Sequence, residues 1–143
     1  MPIDPQTVEE WMDLARQWRL AARKLSELPE TQTIAWTHAG FACECLLKAA
    51  IMAQERLNSW PSRAARKELY THNLVDLAKV LRAKISPFDP VAPKWAVVTQ
   101  WRRADTYVSA PMNPKVVADL LAAAFDKGGV EEWIFENYLK AYK

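Results

Sequence analysis

Ala39-Gly40-Phe41-Ala42-Cys43-Glu44-Cys45-Leu46-Leu47-Lys48-Ala49 is the stretch that decides the fold of this chain. It is apolar almost all the way round. Its polar exceptions, Glu44 and Lys48, stand four apart in the order that favours a helix. Extended to residues 31 to 57, the pattern puts Ile34, His38, Phe41, Cys45, Ala49 and Met52 on one face. Trp36, Cys43 and Leu47 lie nearly opposite, and Thr37, Glu44 and Lys48 make a narrow polar stripe. A helix that is apolar on two sides has to be buried on two sides. One side suits the domain core, and the other calls for further helices or a second subunit.

The rest of the chain supplies such helices. Residues 5 to 28 read as a first helix, capped by Asp4 with Pro5 at its first position. Its Trp11, Leu14, Trp18, Ala22 and Leu25 recur at helical steps, and Pro29 ends it. A third helix opens near Asn73, with Asp76 in its first turn. A fourth runs from about 92 to 108, with Val97, Val98, Trp101, Ala104 and Val108 facing inward. Asn113-Pro114 starts a fifth that Gly128-Gly129 closes, and residues 130 to 142 form a short last one. No period-two alternation supports a sheet. The expectation is an all-α, up-and-down bundle of five to six helices in one domain spanning residues 1 to 143.

Composition agrees. The 143 residues are 50% hydrophobic and 25% charged, with 3 glycines, which suits a helical core. A formal net charge of +2 does not mark a dedicated duplex-DNA binder, although it leaves room for a local basic patch. Cys43 and Cys45 point to opposite sides of their helix and cannot pair with one another, so two free thiols suit a reducing compartment. With no signal-like apolar run and no uninterrupted membrane span, a cytoplasmic protein away from membranes is expected.

The quoted helix and the later His72-Asn73-Leu74-Val75-Asp76-Leu77 together resemble the HEPN family, the higher-eukaryote and prokaryote nucleotide-binding helical domains. The likeness lies in the Cys-Glu with a lysine four residues on, the His-Asn-Leu opening of the third helix, and the fourth-helix stretch Trp101-Arg102-Arg103-Ala104-Asp105-Thr106-Tyr107. It spans roughly residues 8 to 138. Many members of that family are dimeric, metal-independent ribonucleases. An arginine there holds the scissile phosphate, and a histidine four to six residues further along moves the ribose proton. Arg102 and Arg103 match the arginine, but Tyr107 stands where the histidine belongs. A tyrosine with an ordinary pKa of about 10 is a poor base at neutral pH.

The resemblance therefore implies a homodimer that binds RNA or a nucleotide, or scaffolds a partner, without an intact nuclease site. A toxin–antitoxin role beside a nucleotidyltransferase-like protein is the context it suggests. The alternatives are a ribonuclease working through Arg102 or Arg103 with Tyr107, and a structural dimer using the second face of helix two and exposed tryptophans.

Arg102, Arg103, Asp105 and Tyr107 form two neighbouring polar stripes on a helical fourth segment, suited to a phosphate or to surface ion pairing. Arg63, Arg66 and Lys67, with Arg56 and Trp60, make a basic, aromatic-bearing loop suited to single-stranded RNA or to plain solvation. Glu44 and Lys48 read as structural, with Glu44 expected to meet an arginine of helix four. His72 reads as a structural residue bonded to loop backbone, and His38 as a core histidine bonded to a carbonyl. Zinc spacing is not met, and neither a metal nor another cofactor is expected.

Overall fold

A computed structural model describes residues 4 to 142. It contains six α-helices and no strand among the described residues: α1 Val8–Leu25, α2 Gln32–Glu55, α3 Leu74–Leu81, α4 Ala92–Val98, α5 Pro114–Phe125 and α6 Val130–Ile134. The all-α bundle expected from the sequence is the architecture found.

α2 is its axis. α1 lies along it as an antiparallel partner, and α3, α5, α6 and the turns after α6 pack around the remainder. From Ala39 to Met52 almost every side chain is buried, including Cys43, Leu47, Ala49 and Ile51 at 0% exposure. The face carrying Trp36, Cys43 and Leu47 is thus filled by helices of the same chain, and it needs no second subunit. The tryptophans do not form an exposed surface either. Trp11, Trp36, Trp60, Trp95 and Trp101 are buried, and Trp18 and Trp133 are half-buried.

The start of α1 differs from expectation. Thr7, not Asp4, is the N-cap, accepting from the Glu10 backbone N–H at 3.1 Å. The Glu10 carboxylate reaches back to the Gln6 N–H at 2.9 Å. Thr7-Val8-Glu9-Glu10 satisfies two orphan donors in the manner of a capping box, which a lone Asp-Pro pair cannot do. α1 also ends earlier, at Leu25. The carbonyls of the hairpin turn are then tied down by side chains, Thr31 Oγ1 to Leu25 and Gln32 Nε2 to Ser26 and Leu28. Asn73 caps α3 through the Asp76 N–H, and Asn113 caps α5 through the Lys115 N–H, both as the sequence indicates.

The largest departure is the expected fourth helix. α4 stops at Val98, the chain turns, and Arg103–Tyr107 forms a 3-10 turn. The cause is Trp101. Its indole lies on the bare backbone of Gly40, where a Cβ would fall 1.8 Å from Trp101 Cε2. Its Nε1 donates to the Trp36 carbonyl at 3.1 Å. Burying that ring outweighs continuing a helix through Val97, Val98 and Thr99, whose branched side chains favour helix weakly. Of the residues expected to face inward, Val98 and Trp101 are buried, while Ala104 and Val108 are exposed.

After α5 the chain reverses through Gly128 at φ 77° and Gly129, which sits against backbone carbonyls too closely for a Cβ. α6 then runs on through a π turn, Phe135–Leu139, and a 3-10 turn, Lys140–Tyr142.

Candidate functional site

Glu44 and Lys48, one turn apart on α2, are buried charged residues, 6% and 5% exposed. Lys48 Nζ donates to Glu44 Oε2 at 3.0 Å and lies over the rings of Trp11 and Trp60, at 5.3 and 5.7 Å. A buried ammonium in such a place depends on its counter-charge and on ring faces that attract cations. The other carboxylate oxygen, Oε1, is 2.8 Å from His72 Nδ1. Across the imidazole, Nε2 is 2.7 Å from Arg103 Nη1. A guanidinium only donates, so Nε2 must accept; the ring proton then sits on Nδ1 and is donated to Glu44. Lys48, Glu44, His72 and Arg103 thus form one continuous polar chain.

Three local features deliver it. Helical spacing sets Glu44 against Lys48. The Asn73 cap starts α3 directly after His72, and Asn73 N–H is itself held by Thr71 Oγ1 at 3.0 Å. Trp101, seated on Gly40, brings the following residues over α2, and the Arg103 guanidinium comes to rest 5.6 Å from the Phe41 ring.

The chain lines a cleft of about 350 Å³. Trp18, Phe41, Trp60 and Tyr70 give it aromatic walls, while Arg63, Lys48 and Arg103 give it positive charge and Glu44 and Asp4 negative. Lys48 is neutralised by Glu44. Arg63, 5.8 Å from the Tyr70 ring, and Arg103 pair with no carboxylate among the described residues. The cleft thus sets two guanidinium groups that pair with no carboxylate beside aromatic faces.

The residues expected to act together separate. Arg103 faces the cleft, whereas Arg102 is exposed outside it. Tyr107 is 76% exposed, also outside it, and Asp105 lines another groove with Trp36 and Met112. Because residues 99 to 107 are not α-helical, the two polar stripes expected there do not exist. In the basic loop, Arg63 reaches the cleft and Lys67 does not. Arg66 is held by both oxygens of Glu55, at 2.6 and 3.0 Å, and by Glu68 at 2.7 Å. Those hydrogen bonds draw the Glu55 and Glu68 carboxyls below their ordinary range and raise the guanidinium; Arg66 stays charged, but two carboxylates already offset that charge and take its donors.

Two histidine assignments are also corrected. His72 bonds side chains, not loop backbone, and the expected meeting of Glu44 with an arginine passes through it. His38 has no carbonyl partner at Nδ1, which is buried and unpaired; its ring packs on Trp18 at 4.7 Å. Desolvation lowers its pKa. Burial pushes the Cys45 thiol, which also borders the cleft, up to about 12, with the Glu44 charge adding to it. Burial raises Cys43 as well. No cluster of three or more histidine, cysteine or acidic side chains placed to hold a metal occurs among the described residues. Of the aromatic walls, Trp60 belongs to the loop expected to stack on RNA; the sequence does not announce Trp18, Phe41 and Tyr70, although Phe41, Glu44 and Lys48 follow one another at three- and four-residue steps and so share a stripe.

No family model, curated protein or solved structure matches the chain.

Proposed function

We propose that this chain is a HEPN-like helical protein that binds RNA or a nucleotide in the cleft between Arg63 and Arg103 and leaves it uncut. The observation that carries the reading is the environment of Arg103. It donates to a neutral imidazole instead of a carboxylate, and so keeps an uncompensated charge against aromatic walls. A phosphate can take a guanidinium in two-point contact, and a base can stack on a tryptophan or phenylalanine face. The HEPN resemblance gains support from the meeting of its motifs in space, since Glu44 of the first and His72 of the second share a hydrogen bond.

The test is fluorescence anisotropy with a labelled single-stranded RNA and competition by a mononucleotide, beside Arg63→Ala and Arg103→Ala. The expected result is binding that weakens with salt and is lost in both variants, with the RNA intact on a denaturing gel. Binding indifferent to both substitutions would refute the site.

A second reading, metal-independent cleavage of RNA, draws on one observation. His72 is oriented by a carboxylate and adjoins an arginine, so its Nε2 could act as a general base once Arg103 turns from it to a phosphate. In that reading His72 takes the part earlier given to Tyr107. Cleavage abolished by His72→Ala and unaffected by Tyr107→Phe would select it over simple binding.

A further inference from the structure

His72 stands between charges of opposite sign, and only its neutral ring can bond to both. Nδ1–H donates to Glu44 Oε1 at 2.8 Å, while Nε2 accepts from Arg103 Nη1 at 2.7 Å. An imidazolium carries a proton on each nitrogen. A proton arriving at Nε2 leaves the Glu44 contact in place and turns it into an ion pair. On the other side it sets an N–H against the guanidinium that was donating there. Two cations then face one another without an acceptor between them. Water can deliver the proton, because the His72 side chain is 42% exposed.

An anion supplies what that state lacks. The oxygens of a phosphate can accept from the freed guanidinium and from Nε2–H together. Arg103 is loosely enough held to make the exchange, since its other charge-sensitive neighbour is the Phe41 ring, 5.6 Å away, and no carboxylate among the described residues takes it. We propose that His72 is a proton-operated latch on Arg103, which holds the guanidinium when neutral and, when protonated, releases it and joins it as a second donor to a bound phosphate. The latch rests on the cleft reading above and adds a regulation to it. By linkage the sign is fixed. Affinity for a phosphate rises as pH falls through the imidazole range, about pH 8 to about pH 5.5, and binding draws a proton from solvent.

The other groups around the ring do not supply this dependence. Glu44 and Lys48 of α2, Arg103, Arg63, Tyr70 and Asp4 line the cleft with it. Carboxylic acids, amines, guanidines and phenols ordinarily titrate outside that range. Burial lifts the Cys45 thiol to about 12. From α1 come Trp11, Leu14 and Trp18, none of which titrates. His38 stacks on Trp18 at 4.7 Å without lining the cleft, and burial lowers its pKa, so it charges later as pH falls.

Anisotropy of an oligouridylate with hydroxyl ends and a pH-insensitive dye tests the latch, because neither its phosphodiesters nor its bases change charge in that range. Wild-type affinity is expected to rise at least about tenfold from the top of the range to the bottom. Titration calorimetry in two buffers of unlike ionisation enthalpy is expected to show uptake of up to about one proton per site. The amide of His72→Gln can accept from Arg103 and donate to Glu44 but takes no proton, so this variant is expected to flatten the profile. His38→Phe is expected to keep it. A flat wild-type profile while Arg103→Ala still abolishes binding, no proton uptake, an equal slope in His72→Gln, or a slope lost in His38→Phe would each overturn the latch and leave the cleft reading standing. Binding indifferent to Arg103→Ala, or no binding at any pH, would overturn the cleft reading and the latch with it.

Discussion

Replacing Glu44 by alanine probes the polar chain at its centre. The substitution leaves the Lys48 ammonium 5% exposed with no counter-charge, and takes the acceptor from His72 Nδ1–H. Removing one partner of a buried ion pair costs about 3–5 kcal/mol. Two features hold this case near the lower end. The Trp11 and Trp60 faces still attract the ammonium by about 1–2 kcal/mol, and the His72 side chain is 42% exposed, so water can accept the hydrogen bond from its N–H. The expected loss is about 3 kcal/mol. An unfolding entropy of about 2.1 cal/mol/K per residue gives about 0.3 kcal/mol/K for 143 residues, so Tm should fall by about 10 °C. Asp119→Ala breaks the exposed pair with Lys115 and serves as the control, at about 0.5 kcal/mol and 1–2 °C. Paired thermal and urea melts followed by circular dichroism read both. The double variant Glu44→Leu with Lys48→Met should regain most of the loss, because an apolar pair of similar size replaces a buried ion pair with little penalty. A Glu44→Ala cost below about 1 kcal/mol, or a double variant worse than the single, would refute the reasoning.

Gly40→Ala should destabilise by at least about 2 kcal/mol in urea melts, since its Cβ meets the Trp101 indole and neither α2 nor the ring has room to retreat. Loss of near-ultraviolet circular dichroism should accompany it. His38 has a lowered folded-state pKa, so its contribution to stability is present above its ordinary value of 6.5 and is lost as pH falls toward the lowered one. His38→Phe, packed against Trp18 as the imidazole is, should flatten the dependence of Tm on pH in that window; an unchanged slope would exclude His38 as its source. The native thiols of Cys43 and Cys45 should resist Ellman's reagent at neutral pH and react only on unfolding, because both are buried and their pKa values are raised.

The fold was legible where local rules act alone. Asn73 and Asn113 announce their helices by side chains that can reach an N–H two or three residues on, and both do so. The apolar circumference of residues 39 to 52 forecasts a central, buried helix, which α2 is. What covers a buried helix is another matter. Hydrophobicity says that both faces are covered and does not say by which chain, so a dimer seam and an intramolecular α5–α6 packing look alike in the sequence. Asp4 lost to Thr7 for a local reason too, since the reciprocal bonds of Thr7 and Glu10 satisfy more backbone donors than Asp-Pro can.

The site was half legible, and the division falls at Gly40. Glu44 and Lys48 announced themselves as the polar exceptions in an apolar helix. Which arginine would join them depended on whether residues 99 to 107 stayed helical, and no local pattern there decides it. The deciding contact is between Trp101 and a glycine 61 positions earlier, a pairing that sequence periodicity does not encode. One clue does lie in the sequence. Glycine inside a helix costs about 1 kcal/mol relative to alanine, so a glycine at the centre of the best-packed helix has to be repaid by something that needs its bare backbone. A large ring is the natural claimant, and Trp101 is that ring. Once it is seated there, Arg103 reaches His72 and Arg102 is left exposed. The same glycine therefore stabilises the core and places the cleft's cation. Gly40→Ala should accordingly impair anion binding more than its cost in stability explains. Glu44→Ala, which leaves the Trp101 seat intact, should lower Tm while sparing much of the attraction for a phosphate.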